Sequence, residues 1–135
     1  MNTNIMTQGE TVMTSRAANV GLWVVQIGTA AMFFMAGSHK LLGDPQMVGL
    51  FQAIGLGQWF RYLTGALEVT GAVLLLIPAL SGVGGALLTG VMFGALATHL
   101  FIIGGNPTVA IVLLVASVIV AWGRKERTLS LIGRK

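Results

Sequence analysis

The sequence predicts an all-α integral membrane protein: a four-helix bundle with a short amphipathic interfacial helix between spans 1 and 2. Three observations carry that expectation. Four apolar runs each come near the ~20 residues a helix needs to cross ~30 Å of hydrocarbon. With 55% hydrophobic and 9% charged residues among 135, the chain lacks the charged surface a soluble domain needs. Short connections between most of the runs favour antiparallel neighbours.

Residues 1–19 are polar and carry Glu10 and Arg16 without the ordered regions of a cleaved signal peptide. They read as a cytoplasmic segment ahead of an uncleaved anchor. Residues 20–122 form the membrane domain, with spans at 20–38, 62–80, 82–103 and 108–122. Between the first two spans, Asp44 caps a short helix and Pro45 suits its first turn. Met47, Leu50, Phe51 and Ile54 recur at helical spacing before Gly55-Leu56-Gly57 ends the pattern, and Trp59 and Phe60 follow as interface aromatics. This stretch is either a plain surface connector or a lid over a pocket. Pro78 breaks the second span near its end. The third carries Gly82, Ala86, Gly90, Gly94 and Thr98, small residues every four positions, which reads as a seam for close helix packing. Gly104-Gly105-Asn106-Pro107 stops it. Trp122 anchors the fourth span at the interface, and residues 123–135 form a basic cytoplasmic tail.

The net charge of +4 does not point to nucleic acid. Basic residues gather at the ends of apolar runs, notably Arg124, Lys125, Arg127, Arg134 and Lys135, as topology signals do. Arg16 and these five share one side, opposite Lys40 and Arg61, so both termini are placed in the cytoplasm. The absence of cysteine excludes disulfides, thiolate metal sites and thiol redox chemistry within the chain.

Glu68 is a lone carboxylate within the apolar run from Leu63 to Leu80. Such a group is costly to bury unless something neutralises or uses it. Arg61 and Thr64 share its helix face. In the first span Gln26, Ala30, Phe33, Gly37 and Lys40 form one stripe, with Lys40 at its outer end. Lys40 or Arg61 would keep Glu68 ionised. The polar residues Lys40, Arg61, Glu68, Thr98, His99 and Asn106 all fall toward the outer side. Two readings stand: an ion pair that fixes helix register, or a ligand-orienting carboxylate in an outward-facing pocket. His39 and His99 near the span ends raise haem ligation, but His39 lies well around its helix from the inward stripe, which argues against it. No metal site has ligand spacing, and no catalytic set is recognisable.

Several segments together carry a resemblance. Phe34-Met35-Ala36-Gly37-Ser38-His39-Lys40-Leu41 closes the first span, and Gly55 to Ala72, including Arg61-Tyr62-Leu63-Thr64-Gly65-Ala66-Leu67-Glu68, leads into the second. Met92, Ala95, Thr98 and His99 follow in the third. Over roughly Val20 to Trp122 the chain resembles the DoxX-like family of small four-span membrane proteins. The family is named for likeness to a subunit of a thiosulfate or quinol oxidation system in the plasma membrane, and some relatives belong to membrane oxidoreductase assemblies. Lys40, Arg61, Glu68 and His99 match positions of the family pattern. The resemblance implies an accessory or quinone-contacting subunit, with no enzyme activity of its own, in which Lys40, His99 or Gln26 donates hydrogen bonds to a quinone. Without cysteine, a redox role would need a bound quinone, a haem or redox-enzyme partner subunits. An oligomeric carrier of a lipid, isoprenoid or small solute is the second expectation, and a structural membrane partner without ligand is the third.

Overall fold

A computed structural model describes residues 3–133, with side chains from Arg16 to Gly133. Arg134 and Lys135, two of the expected topology signals, lie outside the described residues. Helix α1 covers Thr3–Leu41, α2 Pro45–Ile54, α3 Gln58–Leu76, α4 Ser81–Thr98, α5 Thr108–Gly123 and α6 Lys125–Leu131. A 3-10 turn, Pro78–Leu80, leads into α4, and a π-helical turn, His99–Ile103, leads out of it. No strand occurs among the described residues.

Two stretches are long and apolar enough to cross a membrane: Arg16–Leu41 and Pro78–Ile103. A third arises if α5 and α6, bent by 60° at their junction, count as one span. Large apolar side chains such as Val24, Phe34, Met35, Phe93, Phe101 and Val112 face outward along these helices. Lipid, not water, suits that surface.

Several boundaries differ from the sequence expectation. Helix α1 starts well before Val20, so part of the polar N-terminal segment continues the first helix. Helix α3 begins at Gln58 and stops at Leu76, four residues earlier at each end than expected. Pro78 disfavours helical geometry in the residue before it, and Ile77 is extended at φ −93° and ψ 116°. The tail after Trp122 contains a helix, α6, which runs obliquely to α5. The Lys125 ammonium lies 3.8 Å from the centroid of the Trp122 ring, beside this bend.

Helix α1 packs on α3, α3 on α4, α4 on α5, and α5 back on α1. Missing side chains permit each approach. A Cβ on Gly37 would lie 2.8 Å from the Gly65 carbonyl oxygen, and one on Gly65 would lie 3.0 Å from that of Gly37. Gly71 receives Leu88, Gly85 meets the backbone of Ala121, and Gly123 receives Leu22. Phe33, Leu75, Leu88 and Val120 fill the centre and are fully buried.

The every-four ladder in α4 divides. Gly82 is closely packed, 2.8 Å from the Arg124 carbonyl oxygen for an added Cβ. Ala86 is exposed, while Gly90 and Gly94 face open space. The seam actually used is Ser81, Gly82, Gly84, Gly85, Leu88 and Met92. Gly82 lies at the edge of the buried face, and each further step of four overshoots one turn by about 40°, so this row winds off that face while Gly84, Leu88 and Met92 cross its centre.

Candidate functional site

Two buried polar clusters sit about 21 Å apart along α1, as the rise between Gln26 and Lys40 implies. At one, the close approach of Gly37 and Gly65 brings Lys40 alongside Glu68. The ammonium nitrogen is 2.8 Å from Glu68 Oε1, and Glu68 is 1% exposed. At that separation the ammonium neutralises the carboxylate and is within hydrogen-bonding reach of Oε1, a buried atom with no other polar partner among the described residues.

This pair lines a cavity of about 460 Å³ between α2, α3 and α4. Its polar wall is Lys40, Thr64, Glu68, Thr98 and His99, and the rest is apolar or glycine. Thr64 donates to the Phe60 carbonyl and Thr98 to the Gly94 carbonyl, both at 2.8 Å, the back-bonding usual for threonine inside a helix. His99 opens the π-helical turn, with Nδ1 3.1 Å from the Gly104 carbonyl oxygen. A carbonyl accepts only, so Nδ1 carries the proton and Nε2 is the acceptor of the neutral ring. Helical widening of this kind is frequent at functional positions.

Helix α2 covers the cavity with Leu50, Phe51 and Ile54. Asp44 Oδ1 caps it, accepting from the Gln46 amide at 2.9 Å, and Gly55 ends it in the left-handed region at φ 85°. Phe51 packs edge-on against Phe60 at 5.7 Å, and Gln58 donates to the Val48 carbonyl. These contacts tie α2 to the start of α3.

Two of the expected site residues lie elsewhere. Arg61 is buried but does not pair with Glu68. Its Nε donates to Gln58 Oε1 at 2.7 Å, Nη1 donates to the Lys40 carbonyl, and the guanidinium sits 4.2 Å from the Tyr62 ring centroid. The last carbonyls of α1 lack helical donors, and Arg61 satisfies one of them. Gln26 is fully buried at the other cluster, with Nε2 donating to the Leu75 carbonyl at 2.8 Å. Its Oε1 accepts from Arg124 Nε at 2.6 Å, and Arg124 Nη1 donates to Asn19 Oδ1 at 2.8 Å. Gln26 therefore joins α1, α3 and the α5–α6 junction and stands outside the cavity.

The structural use of Arg124 was missed, because a cation after an apolar run reads equally well as a topology signal. Gly65 was missed as the partner of Gly37. Small residues on two different helices reveal a crossing only when they are brought together. His39 is exposed and 3.1 Å from Asp44 Oδ2, beside a separate apolar groove between α1 and α3. It does not share the cavity with His99.

Chemically, the cavity offers an ion pair at one wall, acceptors around it and apolar surface elsewhere. That suits an amphiphile of the bilayer better than a water-soluble metabolite.

A protein of Bacillus subtilis (strain 168) named "Putative oxidoreductase CatD" is 26% identical over 84 residues. That alignment covers 62% of this chain and 63% of the relative, so the chain spans less than two thirds of its length. No solved structure matches significantly. The DoxX-like family matches residues 13–122, which include α2 to α4, all but the last residue of α5, most of α1 and every residue of the cavity wall. This chain is a membrane protein of the DoxX-like family.

Proposed function

We propose that this chain is a four-span protein of the plasma (inner) membrane whose Lys40–Glu68 cavity holds a lipid-soluble quinone, as an accessory subunit of a redox assembly. The observation that carries the reading is the cavity itself: an ion pair with a buried carboxylate in a largely apolar cavity of about 460 Å³. Gly90 and Gly94 are exposed, with open space where their side chains would be, and Leu63, which lines the same cavity, is also exposed. These features supply a sideways path from the bilayer for a long apolar tail.

Two further inferences complete the proposal. The α3 helix, 19 residues long, reaches about 28 Å at 1.5 Å per residue and serves as a span despite Arg61 and Glu68. It packs between α1 and α4, with α5 closing the ring as the fourth span. Arg16, Arg124, Lys125 and Arg127 belong to one end of this bundle, Lys40 and Arg61 to the other, which supports cytoplasmic termini. The redox association draws support from the relative named as an oxidoreductase. As the chain has no cysteine, electrons would pass through a bound carrier and partner subunits.

Native purification followed by extraction of bound small molecules tests the proposal. A prenylated quinone together with a redox-enzyme subunit is the expected finding. Recovery of another lipid class would favour the carrier reading. Recovery of no lipid beyond the annular background would leave a structural ion pair.

A further inference from the structure

We infer that Gly90 and Gly94 determine the specificity of the cavity: they form a portal into the hydrocarbon core that passes a single chain. The site therefore takes a ring-sized headgroup on one long tail. The inference rests on the preceding reading of the cavity as a quinone-class site, and it adds which part of the ligand lies inside and where the rest leaves.

Volume sets the first limit. At ~30 Å³ for each non-hydrogen atom, the share of a water molecule in its liquid, about 460 Å³ holds on the order of fifteen such atoms. That is a substituted quinone ring and the first few carbons of its chain. A membrane quinone carries a far longer chain, most of which must leave the cavity. The wall offers one stretch for it. Among the described residues lining the cavity, only Leu63, Gly90 and Gly94 are exposed, and the others are buried or half-buried.

Leu63 stands on α3, and the two glycines stand about one turn apart on α4. A Cβ on either glycine would meet nothing within 4 Å. Gly90 lies midway along the apolar stretch Pro78–Ile103, so the gap opens on hydrocarbon and not on the headgroup layer. Along α4 the wall changes from Leu87, Gly90 and Gly94 to Thr98 and His99, which orients the ligand with its ring at the polar end and its chain toward the glycines.

Glycine weakens a helix interior relative to alanine, and at these two positions no close packing compensates. A passage across their bare backbone gives both a use. A diacyl phospholipid suits the wall poorly. Its phosphate would add an anion to a wall whose one ammonium already faces Glu68, and its second chain would find no other exposed stretch.

The test compares duroquinone with its homologue in which a decyl chain replaces one ring methyl. Each is titrated into the full chain in nanodiscs, with empty nanodiscs as the partition reference. The combined variant Gly90→Leu, Gly94→Leu fills the gap, and open space around both glycines lets it fold, as helicity and thermal unfolding would verify. It is expected to bind the decyl quinone roughly tenfold more weakly, the scale of forcing extra methylenes into filled space. Duroquinone is expected to stay within about twofold of its binding to the natural chain. Gly94→Leu alone should give the same split in smaller measure, which keeps the test decisive if the double variant misfolds. Ala86→Leu, at an exposed α4 position outside the cavity wall, should leave both quinones within about twofold. Equal loss of both quinones, undiminished binding of the decyl homologue, or the same split from Ala86→Leu would each overturn the inference and leave the cavity reading intact. Failure of the natural chain to bind either quinone would remove both together.

Discussion

At the scale of single residues, Lys40 and Glu68 form a pair in which each partner makes the other tolerable. Removing Lys40 leaves Glu68 an uncompensated buried charge, which typically costs about 3–5 kcal/mol. Lys40→Met alone should lower unfolding stability in detergent by that order, Glu68→Leu alone by less because the Lys40 side chain keeps 14% exposure, and the combined variant should recover most of the loss. Additive losses in a denaturant series would mean that the 2.8 Å contact contributes no coupling. The existence of a partner for Glu68 was legible in the sequence, because a carboxylate in an apolar run demands one. Which cation fills that role was not. Arg61 shares a helix face with Glu68, yet its guanidinium goes to the Lys40 carbonyl at the end of α1, which the Gly43 amide reaches only at 3.4 Å. Gln26 shows the same limit: its stripe pointed inward, as the structure also has it, but its distance from Lys40 along α1 put it in a different cluster.

At the scale of elements, glycines do two different jobs that composition does not separate. Gly37 and Gly65 let α1 and α3 touch, so Gly37→Val should force the helices apart, destabilise by about 1–3 kcal/mol and displace Lys40 from Glu68. Gly90→Ala meets open space and should stay within roughly 0.5 kcal/mol of the parent, or gain slightly from helix propensity. Thermal unfolding of the two variants side by side checks the contrast; equal losses would refute the division of the α4 ladder. The helix α2 was readable from Asp44, Pro45 and the glycines after Ile54, since capping is local chemistry. Helix α6 was not, because a basic run after a span explains itself as a topology signal without any structure. The π-helical turn at His99 also left no local signature, although the Gly104–Pro107 stop marked its end.

At the scale of the whole molecule, the native absence of cysteine makes topology directly measurable. Ser130→Cys and Gln46→Cys each place one thiol on an exposed position, in α6 and α2 respectively. A membrane-impermeant thiol reagent applied to intact cells should label the α2 position and spare the α6 position. Labelling of both from outside, or of α6 alone, would contradict the four-span arrangement with cytoplasmic termini. The general class of molecule was plain from apolar content, and the family from short motifs spread over the first three spans. What occupies the cavity depends on the distances between α2, α3 and α4, which no single segment encodes.

The central claim is that the Lys40–Glu68 cavity is an occupied site and does more than fix helix register. Its most direct test is lipid extraction with mass spectrometry on the natural chain and the Lys40→Met, Glu68→Met variant, purified identically. A quinone-class carrier in near-stoichiometric amount from the natural chain, and absent from an equally helical, equally monodisperse variant, is the predicted result. Equal carrier content in both proteins, or none in the natural chain, would contradict it.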